Sequence, residues 1–302
     1  MSFRFKWSAI AYLILFVTAL VLTLVGCAGM VPRVLGESPT LMPSAVVAES
    51  DTQASTQTIL WRSDFDQSNW LDNWQKRDRD FWGLENLEVV PDRSGQFSQV
   101  LRANYPAGSA SPTVTRNIGA PVGGGQFYGE LGISPHEALR LSYYIRFSDH
   151  FDFVKGGKLP GLFGGDGASG RVIPTGTDGF STRYMWRQRG DGEVYAYLPA
   201  STEHGTSLGR GEWRFRSGVW HRIEQEVVLN HVNQTDGQIR VWFDGDQVLD
   251  EDGLTFRSVD TLQINGIFFS TFFGGGDPSW ATPADVYTDF ADFVIYAVDV
   301  PA

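Results

Sequence analysis

The sequence predicts an all-β fold, a two-sheet jelly-roll sandwich with a concave groove, spanning residues 58–302. Three observations carry this. Phe and Trp number 21 and 10, and Gly 34, among 302 residues, a mixture that favours short strands and tight turns over helices. From Thr58 onward, β-rich runs recur with turn residues between them. No long stretch places apolar residues at helical spacing, and there is no internal repeat. Many strands with few helices means a sandwich or a barrel, and curved sandwiches often hold an extended polymer on the concave face of one sheet.

The elements follow in order. Ile59–Phe65 reads as a first strand, and its best partner is the last run, Phe290–Ala297, which would bring the domain ends together. Trp70–Trp82 is a short helix or an irregular loop. Leu139–Phe147 (LRLSYYIRF) is a strand. Val154–Gly165 (VKGGKLPGLFGG) reads as a glycine-rich turning segment that holds two of only four lysines, Lys155 and Lys158, against twenty arginines. Phe180–Gln188 and Glu193–Leu198 are strands, as are Trp220–Leu229, Gln238–Phe243 and Gln247–Leu249, the last two joined at Asp244-Gly245-Asp246. Ile264–Phe273 (INGIFFSTFF) is the next run.

The N-terminal region is read differently. Arg4 and Lys6 precede a nearly all-apolar run from Trp7 to Val25, followed by Gly26-Cys27. A small residue before a lone cysteine is the pattern of a bacterial lipoprotein signal. The expectation is a signal peptide over 1–26, lipidation at Cys27, and a Ser/Thr/Pro-rich tether over 27–57. The chain would then be held at a membrane in the bacterial cell envelope by lipid. Ala28 stands where an aspartate would signal inner-membrane retention, so the outer membrane is expected, with the domain facing periplasm or exterior. Cys27 is the sole cysteine, so no disulfide forms within the chain. A monomer is expected.

Charge narrows the partners. A net charge of −11 argues against nucleic acid, since phosphate binding needs a basic surface. Between Lys155 and Arg222, however, ten basic residues outnumber six acidic ones. A basic groove in an acidic shell can focus an anionic ligand.

Alternation along the strands selects the residues that face such a groove. In Phe180–Arg187 the even positions (Phe180, Thr182, Tyr184, Trp186) make the better core face. Ser181, Arg183, Met185 and Arg187 then point outward. In Glu193–Leu198, Val194, Ala196 and Leu198 face the core, leaving Glu193, Tyr195 and Tyr197 outward. The two outward sets share a surface if the connecting loop has odd length, as Arg189–Asp191 or Gly190–Gly192 would. Cations beside phenols are expected to lower a tyrosine pKa. The five histidines show no metal-ligand spacing. Asp244, Asp246, Asp250, Glu251 and Asp252 lack the EF-hand pattern. No G-x-S-x-G, Walker loop, H-E-x-x-H or paired-carboxylate motif is present.

Lys155–Leu162 (KGGKLPGL) with Gly164-Gly165, Ser181–Arg187 (STRYMWR), Glu193–Tyr197 (EVYAY) and Ser270–Gly275 (STFFGG) resemble, in order, the motifs of a polysaccharide lyase group. That group comprises alginate lyases of the fourteenth lyase family and glucuronan lyases of the twentieth. The resemblance covers roughly residues 125–295. It implies a concanavalin-like β-jelly roll and cleavage of an acidic polysaccharide, a polyuronate, by β-elimination without cofactor or metal. It places catalysis on Lys158, Tyr195 and Tyr197, with Ser181 and Arg183 beside them. Gln126, Lys155, Arg187 and Trp280 are expected to bind substrate. A binding lipoprotein of the same fold, without catalysis, is the second reading.

Overall fold

The computed structural model describes residues 57–299. The signal segment, Cys27 and nearly all of the tether lie outside the described residues. Two antiparallel sheets form the domain. The first comprises β1 (Ile59–Ser63), β2 (Leu87–Pro91), β3 (Gln99–Tyr105), β5 (Ala138–Phe147), β10 (Trp220–Val228), β11 (Gly237–Phe243), β12 (Asp246–Leu254) and β14 (Val286–Ala297). The second comprises β4 (Gly125–Gly129), β6 (Gly156–Gly165), β7 (Gly179–Arg187), β8 (Gly192–Tyr197), β9 (Thr206–Leu208) and β13 (Ile264–Phe273). Their orders are β12-β11-β10-β5-β14-β3-β2, with β1 also on β14, and β4-β13-β6-β7-β8-β9. The expected sandwich is present, and the first strand meets the last, with Trp61 opposite Ile295.

Aromatic side chains fill the space between the sheets. Trp74, at the end of a short helix α1 (Trp70–Trp74), packs edge-on against Trp61 and Phe293, with ring centroids 5.0 Å away in each case. Tyr184, Trp186, Val194 and Ala196 are core residues, as the alternation of β7 and β8 requires. The β11–β12 turn has Asp244 at φ 53° and Gly245 at φ 96°. Two successive positive φ values match the right-handed twist of a two-residue hairpin. A second short helix, α2 (Pro112–Ile118), was not legible beforehand: seven residues carry too little periodicity.

The glycine-rich segment is where expectation and structure differ. It is no turn: Gly156–Gly165 is β6, a central strand between β13 and β7. Its glycines serve close approach. A Cβ on Gly161 would lie 2.2 Å from the Thr182 carbonyl oxygen. One on Gly157 would lie 2.1 Å from the Trp186 ring. Pro160, which has no N–H to give a central strand, sits at a bulge where the register slips between Leu159 and Gly161. The slip keeps both Leu159 and Leu162 in the core while Lys158 faces the groove. Gly161→Ala is expected to destabilise the domain by roughly 2–3 kcal/mol through overpacking against backbone, read as a lower denaturant midpoint at unchanged slope.

Candidate active site

The groove lies on the outer face of the six-stranded sheet, a cavity of about 750 Å³. The pairing Arg183↔Tyr195 and Ser181↔Tyr197 puts these residues directly opposite one another. Arg187 N–H donates to the Asp191 carbonyl at 2.6 Å, so the closing loop is Gln188–Gly190. Its three residues satisfy the odd length that a shared face needs, one position earlier than the first of the loops named above and two earlier than the second. Arg189 and Gly190 supply the positive φ values, 64° and 82°.

Lys158, Arg183, Arg187, Tyr195, Tyr197, Gln126 and Trp280 all line this groove. The Lys158 amine stands 3.6 Å above the centre of the Tyr195 ring and donates to Met185 Sδ at 2.8 Å. Burial, reinforced by Arg183 and Arg187 and opposed by Glu193, holds its pKa well below the ordinary lysine range. The neutral amine, a potential base, is therefore more readily formed here than on an ordinary lysine.

Arg183 is 2% exposed. It donates to Ser270 Oγ at 3.1 Å, and its guanidinium lies 4.4 Å from the Phe268 ring centre. Its Nε has no partner, and among the described residues no carboxylate pairs with it. A buried cation with an unused donor is prepared for a carboxylate brought by a ligand. Arg187 differs. Its guanidinium pairs with the fully buried Glu193 at 2.5 Å, which also accepts from Arg210 at 2.6 Å and from Ser207.

Tyr195 corrects an expectation. Its pKa is raised to about 12, first by burial and then by Tyr197, with Arg187 only partly opposing. The expected lowering fails because loss of solvent at the phenol, with Tyr197 beside it, outweighs the positive field of Arg187. Tyr195 is thus a phenol at neutral pH. The rings of Tyr195 and Tyr197 meet edge-on at 5.6 Å, and the Tyr197 hydroxyl accepts from the Arg171 amide at 3.3 Å.

Ser181 is placed beside the tyrosines but not in the groove. It is fully buried, and its hydroxyl donates to the Ala168 carbonyl at 2.6 Å. It fastens the 166–172 loop, which walls one side. Lys155 is exposed and outside the lining. It binds Ser279 and lies 5.9 Å from the Trp280 ring, so it braces the opposite wall. Gln126 accepts from Ser270 at 3.2 Å, linking it to Arg183 through one hydroxyl.

Several lining residues were not named as site residues beforehand: Met185, Arg171, His204, Phe272 and Trp82. Alternation already put Met185 on the outward face. Trp82 comes from an irregular segment bridged to β4 at Gln126, where no periodic signal exists. Among the described residues no metal-ligand cluster occurs, and the groove lining contains no Asp or Glu.

Such a groove suits an acidic polymer and proton transfer on it, and it offers no carboxylate pair for hydrolysis. On a jelly-roll sandwich, that combination defines a polysaccharide lyase. The profile of polysaccharide lyase family 14 matches residues 93–293, and the chain belongs to that family. A PL-14 alginate lyase from the marine animal Aplysia kurodai superposes with a TM-score of 0.69 at 34% identity, over 79% of this chain and 98% of that one. An alginate lyase from a Chlorella virus gives 0.66 at 23% identity, over 80% and 100%. An endo-β-1,4-glucuronan lyase from the fungus Trichoderma reesei gives 0.52 at 13% identity, over 80% and 96%. These last two share the fold. Comparison with curated protein sequences gave no match.

Proposed function

We propose that this lyase cleaves a polyuronate of the alginate type by β-elimination, with Lys158 as base and Tyr195 as acid. The uronate carboxylate would sit against Arg183, with Gln126 as a second donor. Neutralising that carboxylate acidifies the C5 proton. Lys158, as the free amine, takes this proton. The C4–O bond breaks, a C4–C5 double bond forms, and the Tyr195 phenol protonates the departing oxygen. Lys158 has then gained one proton and Tyr195 lost one, so a single transfer between them restores the site. Tyr197 keeps Tyr195 in place, and Ser181 holds the wall. Arg187 and Trp280 would serve neighbouring sugar residues, the arginine by its remaining N–H donors and the tryptophan by stacking, while Lys155 supports the wall that carries Trp280.

The single observation that carries this reading is the Lys158 amine over Tyr195, beside an unpaired buried arginine and in a lining without carboxylates. The test is incubation of the purified protein with alginate and with glucuronan, following ultraviolet absorbance of unsaturated uronate ends. A rise on alginate is expected. Binding with no new absorbance on either polymer would overturn it in favour of a non-catalytic binding protein.

The reading extends to location. A monomer lipidated at Cys27 and tethered by residues 27–57 would work at the bacterial outer membrane on polymer in the periplasm or outside. Its support is the sequence pattern around Cys27. Mass spectrometry of the mature N-terminus would show a diacylglyceryl cysteine, or its absence.

A further inference from the structure

Beside the catalytic groove lies a second cavity of about 370 Å³, within the size range of ligand pockets. The two share Trp82, Gln126 and Ser169. A polymer lying across β8, β7 and β6 reaches the second cavity by continuing toward β4, which carries Gln126. The two cavities have opposite electrostatic character. The groove is lined by Lys158, Arg171, Arg183 and Arg187 and by no carboxylate. The second cavity is lined by Asp80 and Asp166 and by no lysine or arginine.

Four cations stand near this lining: Arg183, whose charge reaches Tyr128 from the groove side, and Arg79, Lys76 and Arg77. Arg79 pairs with Asp166 at 2.6 Å and stands 3.9 Å from Asp80, one positive charge against two negative. Lys76 lies over the Phe81 ring and 3.7 Å from Asp78. Arg77 is held by Glu130 at 2.6 Å. The lining also includes Phe81, which carries Lys76 over its ring, and Trp82, with the edge of the buried Tyr128 behind them and Val172 at the rim. Phe81 and Val172 are 44% and 64% exposed, which leaves apolar surface open at the mouth. Aromatic faces suit the C–H face of a pyranose ring, and carboxylates accept from its hydroxyls. A second uronate carboxylate here would face Asp80 and Asp166 and would have to compete with them for Arg79.

We propose that this cavity is a subsite for an uncharged sugar residue. The preferred substrate would then be a heteropolysaccharide in which the cleaved uronate stretch adjoins neutral sugars. The proposal rests on the lyase reading for its link to turnover, but the subsite itself can be tested without cleavage.

Two measurements decide it. In the first, the full chain is titrated with neutral β-1,4-mannotriose and followed by saturation-transfer NMR. Binding that Phe81→Ala abolishes supports the subsite; no transfer at millimolar sugar overturns it, whatever the activity on alginate. In the second, kcat/KM is compared on fully charged alginate and on alginate with a fraction of its carboxylates reduced to neutral hexose. Phe81→Ala is expected to lower kcat/KM on the reduced polymer about fivefold and to leave the charged one within about twofold. Asp80→Lys is expected to raise kcat/KM on the charged polymer. Equal effects on both polymers would overturn the proposal. So would turnover of charged alginate that rises with calcium and falls with chelator, because the carboxylates would then bridge substrate through a cation. Failure of wild type to cleave either polymer, with mannotriose still binding, would defeat the lyase reading and leave the subsite standing.

Discussion

Lys158→Ala is expected to lower kcat/KM on alginate by about 10³-fold, the scale of losing a positioned general base. The protein should remain folded, because the lysine is an electrostatic burden on the native state. Its pKa is depressed by burial and by Arg183 and Arg187, so the unfolded chain holds this proton more tightly than the folded one. The penalty is complete below the depressed value. It fades as pH rises toward the ordinary lysine value of 10.5. Lys158→Met should therefore be at least as stable as wild type near neutral pH, and equally inactive. The same titration shapes activity. The acid limb of the kcat/KM profile should rise as Lys158 loses its proton, at a midpoint below 10.5. The alkaline limb should fall as Tyr195 ionises near 12. Thermal melts of the two variants and a pH–rate profile of the wild type check each part. A variant that keeps wild-type activity would remove Lys158 from the chemistry.

Arg183→Met is expected to have the second largest effect, a loss of about 10² to 10³ in kcat, comparable with removal of an oxyanion donor. Arg183 is buried without an anionic partner among the described residues, so its charge stabilises nothing until a carboxylate arrives. Methionine fills similar space beside Phe268 and should leave the melting temperature unchanged or higher. Arg183→Lys should recover little, because a lysine cannot present the planar fork that holds both carboxylate oxygens. A variant with raised KM and unchanged kcat would make Arg183 a binding residue only.

Much of this site could be read from period two. The outward sets of β7 and β8 follow from alternation, and an odd loop length puts them on one surface, while the exact register, Arg183 opposite Tyr195, depends on where the loop closes. Three features could not be read that way. Lys158 lies on a strand whose glycines and proline resemble a turn, because close packing and turning ask for the same residue and only the neighbouring backbone distinguishes them. The Tyr195 pKa direction depended on how far the fold buries the phenol beside Tyr197, which sequence spacing does not disclose. Trp82 and the acidic side cavity are assembled from irregular segments far apart in the chain, where no periodicity operates.

The position of β14 bears on how the chain acquires its shape. This last strand is central to the eight-stranded sheet, paired with β5, with β3 and with β1. Arg102 and Asp289, 187 positions apart, are held together on it by two hydrogen bonds. Until residues 286–297 are available, β1 has no partner and the β2–β3 hairpin has nothing to join. Such long-range pairing delays the main gain in burial until β14 is present. A chain emerging from a ribosome would therefore stay open until residues 286–297 are out and close only then, as one cooperative event.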